Sequence, residues 1–128
     1  PIYLKNTDLS FSIEQVNYKG DRDLNNFLKT NLIKYKNEKS ENKIYIEANS
    51  TYKKIVLSKD STGEITSYQL EAEVIFSIMP LNKKIKIREK KIMNSKDDKF
   101  EEDRYERSVK QNFASSISNK LSTELIVN

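Results

Sequence analysis

The side chains able to do chemistry are few in kind. The 128 residues include no His and no Cys, which removes thiolate nucleophiles, zinc fingers, iron–sulfur clusters, haem ligation by imidazole and every His-based triad. Carboxylates, Lys, Tyr and hydroxyls remain. Glu71 and Glu73 stand two apart, and paired carboxylates do acid/base work when burial pushes one toward neutrality. Both fall on the polar face of a strand pattern, with no Arg, cleft motif or metal-type Asp spacing accompanying them, so they read as a solvated face. The Asp97-Asp98 and Glu101-Glu102-Asp103 cluster lacks the alternating Asp/Asn ligands and the Gly of an EF-hand loop, and helix capping accounts for it better. Gly20 and Gly63 are the only glycines, too few for a dinucleotide fingerprint or a phosphate-cradling loop. No acid, base and oxyanion set assembles, so the expectation is a protein without catalytic residues, metal or cofactor.

Tyr52, Tyr68 and Tyr105 sit in phase with apolar stripes, which makes them core or core-rim residues. The basic residues say more. Lys83, Lys84, Lys86, Arg88, Lys90, Lys91, Lys96 and Lys99 are opposed only by Glu89, Asp97 and Asp98, a local balance of +5. Residues 1–82 hold 11 cations and 11 anions, and residues 100–128 hold 4 and 5. The formal charge of +4 therefore belongs to one strand and its exit loop. Such a strip neutralises the phosphates of nucleic acid or of a glycolipid head group. Lysines protecting an edge strand from aggregation give the same pattern, and the heavy use of Lys, Asn and Ile also follows from an AT-rich genome. The strip lacks the interleaved aromatics of an RNA-binding sheet.

The elements that position these residues follow from periodicity. Phe11 and Ile13 alternate with Ser12 and Glu14 in a strand over Ser10 to Val16, ended by Gly20. Asp21 or Asp23 then caps a helix to about Lys36, with Leu24, Phe27, Leu28, Asn31 and Tyr35 along one stripe. Residues 37–42 read as a loop. A long strand over Lys43 to Ser58 has apolar even positions until Ile55 and Leu57 break the register, as a bulge does. Lys59 to Gly63 turn the chain into a second arm from about Glu64, whose Tyr68, Leu70, Ala72, Val74, Phe76 and Ile78 form one buried face. Pro80 breaks it, and Lys83 to Met93 form a further antiparallel strand. After residues 94–100, Glu101, Glu102 and Asp103 open a helix whose Tyr105, Val109, Phe113, Ile117, Leu121 and Leu125 recur every fourth residue.

The expected fold is α+β, a two-layer sandwich: a four-stranded, mostly antiparallel sheet with two helices on one face, in the order β-α-β-β-β-α. Residues 1–128 form a single domain. No apolar run reaches even half of the roughly 20 residues that cross a bilayer. With Pro1 first and no Met or leader before it, the chain reads as a processed or trimmed fragment.

The element order, the hairpin Lys59-Asp60-Ser61-Thr62-Gly63 followed by Ser67-Tyr68-Gln69-Leu70, and the closing Glu102-Asp103-Arg104-Tyr105-Glu106-Arg107 helix resemble the lipopolysaccharide-assembly lipoprotein family, LptE, over nearly the whole chain. The resemblance implies a non-enzymatic outer-membrane lipoprotein facing the periplasm, which plugs and stabilises the LptD β-barrel and binds lipopolysaccharide. It implies a leader and lipidated Cys removed before Pro1. It places lipopolysaccharide contacts at the hairpin tip, here Lys59, and before the last helix, here Lys96 or Lys99. The basic strip adds Lys83, Lys84, Lys86, Arg88 and Lys90. No nucleic acid partner is expected on this reading; a small basic nucleic-acid-binding domain, motivated by a pI of about 9.1, is the alternative.

Overall fold

The computed structural model describes residues 11–127. In chain order these form β1 (Ser12–Gly20), α1 (Arg22–Leu32) with a trailing 3₁₀ turn (Ile33–Tyr35), β2 (Lys43–Lys59), β3 (Ile65–Met79), β4 (Lys83–Asn94) and α2 (Lys99–Val127). The four strands make one sheet in the order β1-β2-β3-β4. β1 runs parallel to β2, and the other two pairs are antiparallel. The expected α+β class and β-α-β-β-β-α order are both present.

Alternation decides which face is covered. Ile44, Ile46 and Ala48 of β2, the even residues Tyr68 to Ile78 of β3, and Ile85, Ile87 and Met93 of β4 are buried. They share one core with Leu24, Leu28 and Leu32 of α1 and with Val109, Phe113, Ile117, Leu121 and Leu125 of α2. Both helices thus lie on one side, and the odd-numbered face of β2 and β3 is open.

Several boundaries differ from expectation for local reasons. β1 continues past Val16 to Gly20 because those residues find parallel partners from Ile46 to Ser50; Ser10 lies outside the described residues. Ser12 is buried despite its polar phase, since its hydroxyl donates to Glu14 at 2.6 Å and accepts from the Asn37 amide at 2.7 Å. Gly20 has φ +105, and a Cβ there would land on the Ser50 carbonyl oxygen, so only glycine lets β1 pass this closely into α1. Asp21 supplies the cap, accepting from the Leu24 amide at 3.0 Å. α1 ends at Leu32 and tightens to a 3₁₀ turn, short of Lys36.

The β2-β3 hairpin is the longest feature of the sheet. Register shifts lie between Val56 and Lys59, where Ile55 and Leu57 break phase. At the tip, the Asp60 carboxylate accepts from the amides of Thr62 and Glu64 at 2.8 and 3.0 Å, and Gly63 takes φ +89. Tyr105 departs from its expected place: it is 38% exposed, while Glu102 is 1% exposed. The first turns of α2 pack on the hairpin through Glu102 and Glu106, so the apolar stripe starts only at Val109.

Candidate functional site

Strand register sorts the predicted cations by place. Ile78 pairs with Lys83 and Ser67 with Asn94. Lys83 and Lys84 therefore lie at the Pro80 turn, while Lys90, Lys91, Lys96 and Lys99 lie at the opposite end with the hairpin tip and Lys59. Alternation puts Lys84, Lys86, Arg88 and Lys90 on the open face. The +5 segment is thus two separated groups with Lys86 and Arg88 between them.

That middle is neutralised. Arg88 Nε and Nη2 both donate to Glu73 Oε2, at 3.1 and 2.6 Å. Arg88 also approaches Glu71 at 3.7 Å, and Lys86 approaches Glu73 at 3.7 Å. The hydrogen bond from Arg88 holds the Glu73 carboxyl below its ordinary value, with the Lys86 charge adding to it against desolvation. The expectation that no Arg accompanies Glu71 and Glu73 is corrected here. Arg88 stands directly opposite Glu73 in the register, a partnership that spacing along the chain does not display. The pair is structural, since both carboxylates are engaged by neighbouring cations.

The hairpin end differs in kind. Ile55 pairs with Gln69 and Gln69 with Ile92, so two isoleucines flank one glutamine on the open face. Ile92 is 61% exposed and Phe100, in the first turn of α2, is 74% exposed. Val56 and Leu57 are exposed as well. Around them stand Lys53, Lys59, Lys90, Lys91 and Lys96, which form no ion pair among the described residues. Three nearby acids are turned to internal use. Asp60 closes the hairpin tip, Asp98 caps α2 by accepting from the Phe100 amide at 2.9 Å, and Glu102 faces inward. Exposed apolar surface and unpaired ammonium groups thus share one end of the molecule.

Glu102 organises the base of that end. Its carboxylate accepts from the Lys96 amide at 2.9 Å and from the Ser95 hydroxyl at 3.4 Å. The ammonium groups of Lys54 and Lys99 each approach it at 3.4 Å. The Lys96 hydrogen bond, aided by the two lysines, keeps the carboxyl below its ordinary value although burial opposes this. Lys54 also reaches Glu106 at 3.1 Å and lies 4.4 Å above the Tyr68 ring. Tyr52 donates to Glu106 at 2.5 Å, and burial followed by that bond pushes its phenol well above the ordinary tyrosine range. Lys96 lies 5.3 Å from the Tyr105 ring.

Sequence reasoning passed over Lys54, Glu102 and Glu106 as a unit. Its signal was present: Lys54 occupies an inward-phase position in a strand whose even residues are otherwise apolar or uncharged. A charge in that phase needs an opposite charge on the covering element, and Glu102 and Glu106 supply it one helical turn apart.

No family model and no curated protein matches this chain. Its fold is shared with solved bacterial lipoproteins. Rare lipoprotein B from Shewanella oneidensis superposes with a TM-score of 0.60 at 15% identity, over 87% of this chain and 96% of that one. A minor lipoprotein from Acinetobacter baumannii gives 0.57 at 15% identity over 87% and 94%. Lipoprotein B from Nitrosomonas europaea gives 0.58 at 16% identity over 95% and 90%. At this identity the likeness is one of fold, and it spans nearly the whole length of each chain.

Proposed function

We propose that this chain is a non-enzymatic subunit of the outer-membrane lipopolysaccharide assembly machinery, binding lipopolysaccharide and seated in an LptD-like β-barrel. The observation that carries the reading is the hairpin end, where exposed Ile55, Leu57, Ile92 and Phe100 lie among unpaired Lys59, Lys90, Lys91 and Lys96. A phosphorylated glycolipid presents the complementary surface: phosphates for charge-assisted hydrogen bonds and acyl chains for apolar contact. The fold shared with rare lipoprotein B, the name borne by the LptE family, supports the same assignment. A skin with 33% charged residues suits the polar lumen of a barrel. On this reading the full-length protein is lipid-anchored on the periplasmic side of the outer membrane.

The test is binding of the purified chain to lipopolysaccharide micelles at low salt, and co-purification with a co-expressed LptD-like barrel. The Lys90→Gln/Lys96→Gln variant is expected to weaken glycolipid binding about tenfold and to flatten its salt dependence, since each surface charge contributes modestly. Ile92→Ser is expected to weaken binding without changing that salt dependence. Wild-type protein that binds neither lipopolysaccharide nor the barrel overturns the proposal. A steep salt-dependent shift with generic DNA or RNA would instead favour the basic-domain alternative.

A further inference from the structure

Lysines guard the outer edge of β4, and one stretch of that edge also borders a groove. β4 pairs with β3 from Lys83 to Asn94 without a register shift, and it contains no proline. Sheet edges are ordinarily blunted by bulges, prolines, inward-pointing charges or a covering element. β4 has inward charges at Glu89 and Lys91, but its inward positions Ile85 and Ile87 are apolar. The covering helix also leaves a groove of about 810 Å³ beside the edge, floored by Ile85 and Ile87 and walled by Asn112, Ser115, Asn119 and Thr123 of α2. Two lining residues, Ser116 and Lys120, also tie α2 to β4 by donating to Glu89, at 3.0 and 2.5 Å.

We propose that this edge takes up an extended segment of a partner protein by strand addition, and that the segment alternates acidic with β-branched residues. An added strand would satisfy the outward backbone groups of β4, which pair with no further strand among the described residues. Its alternate side chains would point to opposite faces. Those on the open face meet Lys84, Lys86, Arg88 and Lys90. Lys84 and Lys90 have no ion-pair partner among the described residues, so carboxylates fit there. Those on the helix face enter the groove over Ile85 and Ile87, where branched aliphatic side chains fit between the short polar side chains of α2. A second copy of this chain fits poorly, because antiparallel edge-to-edge pairing would set these four cations against their own copies. The outer edge of β1 offers no such run of cations. This inference does not rest on lipopolysaccharide binding.

The probe is an eight-residue peptide alternating glutamate and valine, with a control of the same composition in two blocks, each added to the whole chain. The alternating peptide is expected to bind and to slow exchange of alternate β4 amides between residues 84 and 91. Lys84→Glu/Lys90→Glu is expected to weaken it about tenfold, the size of two reversed cross-strand charge pairs. Ser115→Trp, on the exposed face of α2, is expected to fill the groove and abolish binding while the circular dichroism spectrum stays unchanged. Any one of four results overturns the proposal: no binding, equal binding of the block peptide, protection falling on β1, or binding indifferent to both variants. Wild-type chain that binds glycolipid but not the alternating peptide would overturn only this inference, and wild-type chain that binds the peptide but neither glycolipid nor the barrel only the proposed function.

Discussion

Glu102 shows how much one side chain settles. A carboxylate in its position would be costly to bury alone, yet it accepts from a loop amide and a loop hydroxyl and faces two ammonium groups. Glu102→Ala leaves the Lys96 amide without its acceptor and is expected to cost about 2 kcal/mol, read from urea unfolding. The folded carboxyl titrates below its ordinary value of 4.5, so the unfolded chain takes up a proton first as the solution is acidified. The stabilisation is complete above pH 4.5 and lost as pH falls through the folded value. Wild-type stability should therefore decline below pH 4.5 more steeply than that of Glu102→Ala; equal acid profiles would remove this residue from the account. The sequence displayed Glu102 as one of three acids at a helix start and predicted its dipole role. Its burial depends on how the β4-α2 connection folds back, which no local pattern carries.

Among the elements, strands were the most legible, because period-two alternation reports burial directly. The β3 face from Tyr68 to Ile78 and both hairpin turns stand where their residues place them. Helix ends and helix phase were less so. The stripe through Tyr105 to Leu125 is right from Val109 onward, but Tyr105 lies where α2 meets charged partners instead of the sheet core. Site residues were legible as types and not as a constellation: eight cations adjacent in sequence divide between two ends of the sheet and a neutralised middle. The hairpin arm also has its own stability. Beyond Val56 and Tyr68 the ladder continues with no fully buried residue: Ile65 is only partly buried against the core, and Leu57 is 47% exposed. Amides of residues 57–66 are expected to exchange through local opening, well ahead of those in residues 44–48 and 72–78. Uniform protection along β2 and β3 would contradict this.

At the scale of the molecule, an open sheet face, two edge strands with no outer neighbour among the described residues and one end that joins exposed apolar side chains to lysines make the surface asymmetric, with the helices confined to one side. The basic pI of about 9.1 therefore understates the chemistry, since lysines without an ion-pair partner gather at the ends of the sheet while its middle is neutralised. One further consequence comes from the single parallel pair. β2, β3 and β4 form a meander closed by tight turns, whereas β1 joins β2 only after α1 and its loop, with Ser12 paired to Lys43. Closing that longer loop comes at an entropic cost that the meander does not bear. The meander with α2 is accordingly the expected nucleus, and β1 the last strand to dock. In stopped-flow kinetics, Phe76→Leu should slow refolding, while Ile13→Val should leave the refolding rate nearly unchanged and speed unfolding. The order in which this sheet is built would then run from its edge at β4 toward β1, opposite to the order in which the chain is written.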